Sequence, residues 1–197
     1  MTDEQGPWIV AIGASGARGL DDIKALLGAL PPTLPAVILV VLHRRWDLPT
    51  HLRAILAQTC RLPVVIAAQG ERFKAGTVYI GEPAEHLTLA ASSLTDLVDD
   101  PSRHFGGRTV DLLFKSVAAC AGPRMIGVVL SGSLDDGSRG LAAIHKAGGM
   151  TMVLTPAALP QRGMPENAIG YDGPINLIGS PLRIAEAICS ACKSKHC

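Results

Sequence analysis

Two uninterrupted apolar runs, Trp8-Ile9-Val10-Ala11-Ile12 and Val37-Ile38-Leu39-Val40-Val41-Leu42, restrict this chain more than any other feature. Runs of that length with no polar alternation read as strands covered on both faces, hence parallel strands under helices. The first run leads straight into Gly13-Ala14-Ser15-Gly16-Ala17-Arg18-Gly19, and the second ends at His43. A buried strand, a tight glycine turn and a helix would lift the Ser15 hydroxyl above the end of a sheet, which is how an exposed nucleophile is built. The same glycine spacing also resembles a nucleotide-binding turn.

The rest of the chain keeps the rhythm. Helices are expected over about 19–30, 49–58, 109–121, 137–147 and 181–192, with strands at 8–13, 37–42, 63–67, 125–130, 150–154 and 174–178. Between them, Thr77–Ile80, 86–90 and 94–98 are separated by Gly, Pro, Ser and Asp, and read as short antiparallel strands or a hairpin. The expected fold is α/β: a three-layer arrangement of a mostly parallel sheet with helices on both faces and a short antiparallel hairpin region. A hydrophobic content of 48% over 197 residues suits one domain, with a core over about 8–190 and a frayed tail at 191–197. Aromatics make up 4%, so that core must be aliphatic.

Charge excludes some partners. Lys+Arg number 18 and Asp+Glu 17, for a net charge of +1, so nothing points to nucleic acid. The stretch from Arg44 to Lys74 is locally basic and forms a candidate docking edge. Acidic and polar residues at Thr2–Gln5 do not suit a signal peptide, and no apolar segment reaches the ~18 residues of a membrane helix. A cytoplasmic protein, not inserted in a membrane, is expected. Cys60 and Cys120 read as small core residues. Cys189, Cys192, His196 and Cys197 have metal-binding side chains, but adjacent His196 and Cys197 would need a tight loop to close a tetrahedron. A reduced tail is the preferred reading, and no metal or cofactor is expected.

Right-handed crossovers put the strand ends at Ser15, His43 and Ser131 on one sheet edge, where open sheets bind ligands. That edge carries a hydroxyl (Ser15), an imidazole (His43) and two carboxylates (Asp135, Asp136). A serine needs a base of near-neutral pKa, and the base works best when a carboxylate orients it. Taken singly, the three have plainer readings: Ser15 as a helix N-cap, His43 as a polar strand end, Asp136 as the N-cap before Gly137. The rival is a dinucleotide site on Gly13-x-x-Gly16-x-x-Gly19, with Arg44 and Arg45 placed for a 2′-phosphate. Against an active dehydrogenase, neither Tyr79 nor Tyr171 has a lysine four residues on.

Several segments together resemble the catalytic domain of CheB-type chemoreceptor protein-glutamate methylesterases. They are Ile12-Gly13-Ala14-Ser15, Val40–His43, Gly76–Ile80, Val110–Phe114, Val129–Gly137 and Gly163-Met164-Pro165. The resemblance implies Ser15 as nucleophile, His43 as base and Asp136, rather than Asp135, as the orienting carboxylate. Backbone N–H groups at Gly16 and Ser133 are the candidate oxyanion donors. It further implies hydrolysis of glutamyl methyl esters on the cytoplasmic helices of chemoreceptors, with slower deamidation of receptor glutamine. Two departures stand out. Gly16-Ala17-Arg18-Gly19 replaces the usual Thr-Gly-Gly or Ala-Gly-Gly, and Arg44-Arg45-Trp46 replaces a Met-Pro pair; the altered turn leaves open a receptor-binding member without catalysis. A stand-alone domain with no receiver domain, and so no phosphorylation switch of its own, is expected.

Overall fold

The computed structural model describes residues 6–44, 51–100, 105, 107–157 and 162–193. Chain order runs β1 (Trp8–Ser15), α1 (Gly16–Ala29), β2 (Ala36–His43), α2 (Leu52–Ala57), β3 (Val64–Ile66), β4 (Thr77–Ile80), β5 (Glu85–Ala90), β6 (Leu94–Asp99), α3 (Thr109–Cys120), β7 (Met125–Val129), α4 (Ser138–Lys146), β8 (Met150–Leu154), α5 (Met164–Ile169), β9 (Leu177–Gly179) and α6 (Pro181–Lys193). Seven strands form one parallel sheet in the order β3-β4-β2-β1-β7-β8-β9.

Alternation along β1 shows why both strand faces had to be apolar. Trp8, Val10, Ile12 and Ala14 pack in one layer with Ile23 and Leu27 of α1, Leu56 of α2 and Ile188 of α6. Ile9 and Ala11 face the opposite layer, built from Val110, Phe114 and Val117 of α3, Leu141 and Ile144 of α4 and Met164 of α5. The chain runs outward from β1 to β2 on one side and returns through α3 to β7 on the other. The two directions part at the carboxyl end of β1, which makes that point the crevice of an open sheet.

The structure corrects two details. Thr77–Ile80 is not antiparallel: β4 lies in the main sheet, parallel to both β2 and β3. Its Val78, Tyr79 and Ile80 are all buried, as an interior strand requires, whereas so short a run between turns carries no sign of direction. The antiparallel pair is β5 with β6, from Glu85↔Asp99 to Ala90↔Leu94. It packs on α3, where the Leu89 N–H donates to Ser116 Oγ at 2.9 Å. The second correction is α5, a helix that the periodicity does not reveal in six residues. Its start is set by Pro165 in the first turn and by Glu166 Oε2, which accepts the Gly163 N–H at 2.9 Å.

Candidate active site

Ser15 ends β1 and lies opposite His43, the end of β2, in the parallel register. Its N–H donates to the Ser131 carbonyl at 2.9 Å, so the loop after β7 closes on the same strand end. The backbone then turns sharply: Ser15 is extended (φ −143°), Gly16 is left-handed (φ +69°), and α1 starts at Gly16. Only a residue without Cβ makes that turn at little cost. Ser15 holds the N-cap position, as the plainer reading had it, but its hydroxyl makes no capping bond. The side chain is therefore not committed to the helix. Gly132 lets the β7–α4 loop approach: a Cβ there would lie 2.8 Å from the Ser15 Cβ and would run into Met164 Sδ.

Asp136 is 7% exposed and does not cap the helix that follows it. Gly137, left-handed at φ +94°, occupies the N-cap of α4. The Asp136 carboxylate reaches instead to α3, where Oδ2 accepts the Val110 N–H at 3.0 Å and Oδ1 the Asp111 N–H at 2.9 Å. These are two of the orphan donors at a helix start, and a negative charge suits the dipole there. Burial pushes the Asp136 carboxyl above the ordinary carboxylate range. The two backbone N–H groups pull it back, neighbouring Asp111 pushes it up further, and a positive charge at His43 draws it down. His43 and Asp136 thus feel one another electrostatically. Among the described residues no hydrogen bond joins the His43 imidazole to Ser15 or to Asp136; such bonds are often loose before substrate binds.

The segment before α3 backs the imidazole. A Cβ at Gly107, whose φ is +78°, would stand 3.0 Å from His43 Cε1 and 3.2 Å from Nε2. Arg108 follows, its Nη1 3.4 Å from Asp111 Oδ2 and 3.5 Å from Asp135 Oδ2. Asp135 is thus an exposed ion-pair partner. Two further carboxylates, absent from the sequence-based candidates, brace the segments around the site. Asp111, 2% exposed, accepts the Gly140 N–H at 2.7 Å and ties α4 to α3. Asp22 of α1 accepts the Ser131 N–H at 3.3 Å. An acidic residue on the apolar face of a predicted helix was the available clue to Asp111. His43 also lines a cavity of about 530 Å³, with Arg44, Glu82, His86, Asp100 and Thr109 on its walls.

The remaining candidates separate cleanly. Neither the Gly16 nor the Ser133 N–H is engaged by the described residues, and Gly16 opens onto unfilled space. Ser133 pairs with Gly163 across an isolated antiparallel bridge. Of the three glycines in the nucleotide-type spacing, two are explained by packing. A Cβ at Gly13 would collide with Val110, and one at Gly19 would lie 2.7 Å from the Ser131 carbonyl. Arg44 is half-buried, with Nη2 on the Gly81 carbonyl at 3.0 Å, and Arg45 lies outside the described residues. Cys120 is exposed rather than in the core. Cys192 is buried beside α1, its thiol pushed up to about 12 by burial, while His196 and Cys197 lie outside the described residues. The described residues hold no cluster suited to a metal ion, and none of their helices is long and apolar enough to cross a membrane.

The family model described as CheB methylesterase matches residues 10–188. The chain belongs to the CheB methylesterase family. A protein-glutamate methylesterase/protein-glutamine glutaminase of Yersinia pestis bv. Antiqua is 38% identical over 168 residues, covering 84% of this chain and 48% of that protein. One of the same name from Chromobacterium violaceum is 36% identical over 185 residues, 91% of this chain and 50% of that protein. The chain therefore spans about half the length of the curated relatives it matches. The crystal structure of the Thermotoga maritima CheB methylesterase catalytic domain superposes with a TM-score of 0.82 at 28% identity, covering 94% of this chain and 98% of that one. Family membership favours the esterase reading of the glycine turn over the dinucleotide reading.

Proposed function

We propose that this CheB-family domain hydrolyses glutamyl methyl esters on the cytoplasmic helices of chemoreceptors, releasing methanol, with Ser15, His43 and Asp136 as its catalytic group. The reading rests on one observation above all: Ser15 and His43 are register partners at adjacent strand ends, with a buried carboxylate electrostatically coupled to the imidazole. Ser15 Oγ attacks the ester carbonyl as His43 takes its proton. The tetrahedral oxyanion is held by the N–H groups of Gly16 and Ser133, each such donor contributing about 3 kcal/mol when well aimed. His43 then returns the proton to the departing methoxide. Methanol leaves, and the glutamyl group remains as an ester on Ser15. Water, deprotonated by His43, breaks that ester and restores the hydroxyl. Asp136 stabilises the imidazolium in both halves and orients the ring.

Glutamine deamidation follows the same path with ammonia as the leaving group. It is the slower activity, because an amide nitrogen must be protonated before it departs. The partner is a protein helix, and the catalytic step takes place on the cytoplasmic side where that helix lies. The deciding experiment measures methanol release from a methylated receptor cytoplasmic fragment, with wild type and Ser15→Ala. Wild-type release, loss of at least a thousandfold in the variant and an unchanged melting temperature support the reading. Normal turnover by Ser15→Ala ends it, and receptor binding without any release would mark a non-catalytic member.

A further inference from the structure

One residue at the rim of the site adopts a costly backbone conformation that burial of its own side chain does not offset. Leu134, in the loop between β7 and α4, has φ +66°. Leucine is disfavoured there, because its Cβ crowds the following carbonyl, whereas glycine and asparagine adopt this region readily. The side chain is also 73% exposed, the most exposed large hydrophobic among the described residues. Burial therefore does not repay the backbone conformation.

The loop is nevertheless held in place. Asn167 Nδ2 donates to the Leu134 carbonyl at 2.7 Å, and the Met164 N–H donates to Gly132 at 2.9 Å. That last bond flanks the isolated Ser133–Gly163 bridge. Two residues earlier, Gly132 lies against Ser15, and two residues later comes Asp136. Phe105 is also exposed, its ring edge-on to His86. Its carbonyl accepts the Arg108 N–H at 2.9 Å, and Arg108 reaches Asp135 in the Leu134 loop. Arg108 thus links the Leu134 loop to Phe105 and to Gly107, the residue that lies against the His43 imidazole. Strained residues that persist beside a site are commonly part of its action.

We propose that Leu134 is a specificity-determining residue that seats on the apolar surface flanking the methyl ester on the substrate helix. The proposal rests on the methylesterase reading and names how that substrate is held. Esterification removes the charge of a glutamate and leaves a methyl group. The helix surface around it then matches an apolar rim better than the free carboxylate does, because no charge has to be desolvated. Leu134 contributes to binding in the ground and transition states alike, so its removal raises KM and leaves kcat in place.

The test uses steady-state methanol release from a methylated receptor cytoplasmic fragment, together with thermal melts of each protein. Leu134→Asn keeps a residue suited to the left-handed backbone while removing the apolar contact. It is expected to raise KM about tenfold, the size of a partly buried leucine, with kcat within twofold and no fall in melting temperature. Leu134→Met restores the wild-type KM. An unchanged KM in the asparagine variant overturns the proposal. So does a fall in kcat at constant KM, which would place the residue in control of Ser133 or Asp136, or a clear drop in melting temperature, which would make its role structural. Absence of methanol release from the wild type is a separate result, and it removes the methylesterase reading and this inference together.

Discussion

Gly13→Ala is the substitution that most directly tests how the sheet and the site are coupled. Gly13 lies where β1 passes beneath the first turn of α3. An alanine Cβ would sit 2.9 Å from Val110 Cγ2 and nearer still to Cγ1, against a comfortable carbon–carbon separation of about 3.5–4.0 Å. Neither partner can yield easily. β1 is paired on both edges by β2 and β7, and a helical valine has one strongly preferred rotamer. The helix start must therefore move, and the Val110 N–H is one of the two donors that hold Asp136. Overpacking of this kind costs about 1–3 kcal/mol. For a domain of this size each kcal/mol lowers the melting temperature by about 2–4 °C, so a fall of roughly 2–12 °C is expected. Methanol release should fall as well, measured well below the transition. Val110→Ala alone leaves a void costing about 2 kcal/mol. The double variant should lose far less than the two singles together, because the missing methyls make room for the new Cβ. A Gly13→Ala protein with wild-type melting, or a cycle showing simple additivity, would refute the packing account.

Other expectations follow from the same geometry. Because burial raises the Asp136 carboxyl above its unfolded value, the folded state holds that proton to higher pH, and stability contributed by the site is present below about pH 4 and lost as pH rises through the folded pKa. The melting-temperature difference of wild type minus Asp136→Asn should therefore shrink from pH 4 towards pH 7; a widening gap would contradict the assignment. Gly107→Ala places a Cβ against the imidazole in a left-handed backbone, so kcat should fall about tenfold or more with a stability loss of about 1 kcal/mol; unaltered kcat would show that His43 is not braced there. Thiol labelling followed by peptide mass spectrometry should find Cys120 modified within minutes and Cys192 protected until unfolding, given its burial and its thiol pushed up to about 12. Early labelling of Cys192 would mean that α6 is loosely docked.

How much of this was readable beforehand depended on the range of the interaction. The paired apolar runs of β1 and β2 announced parallel strands because burial on both faces leaves a local record in consecutive residues. Ser15 and His43 followed from the same record, since each closes one of those runs. Asp136 was a candidate from sequence, but its plainer reading as the cap of its own helix was wrong: its carboxylate spans to α3 across some 25 residues of sequence. Short elements fared worst. Four residues in β4 do not distinguish a parallel strand from an antiparallel one, and six in α5 are too few for helical periodicity.

The sequence by itself determined the architecture, the sheet edge on which chemistry could occur and the residue types found there, because strand and helix periodicity are written in neighbouring positions. Tertiary structure alone decided that Asp136 holds the start of α3, that Gly107 lies against His43, and that Leu134 is held outward on a left-handed backbone. Each of those depends on contacts between segments distant in the chain. Such contacts arise only when the packed layers bring the segments together, and no local pattern of residues encodes them.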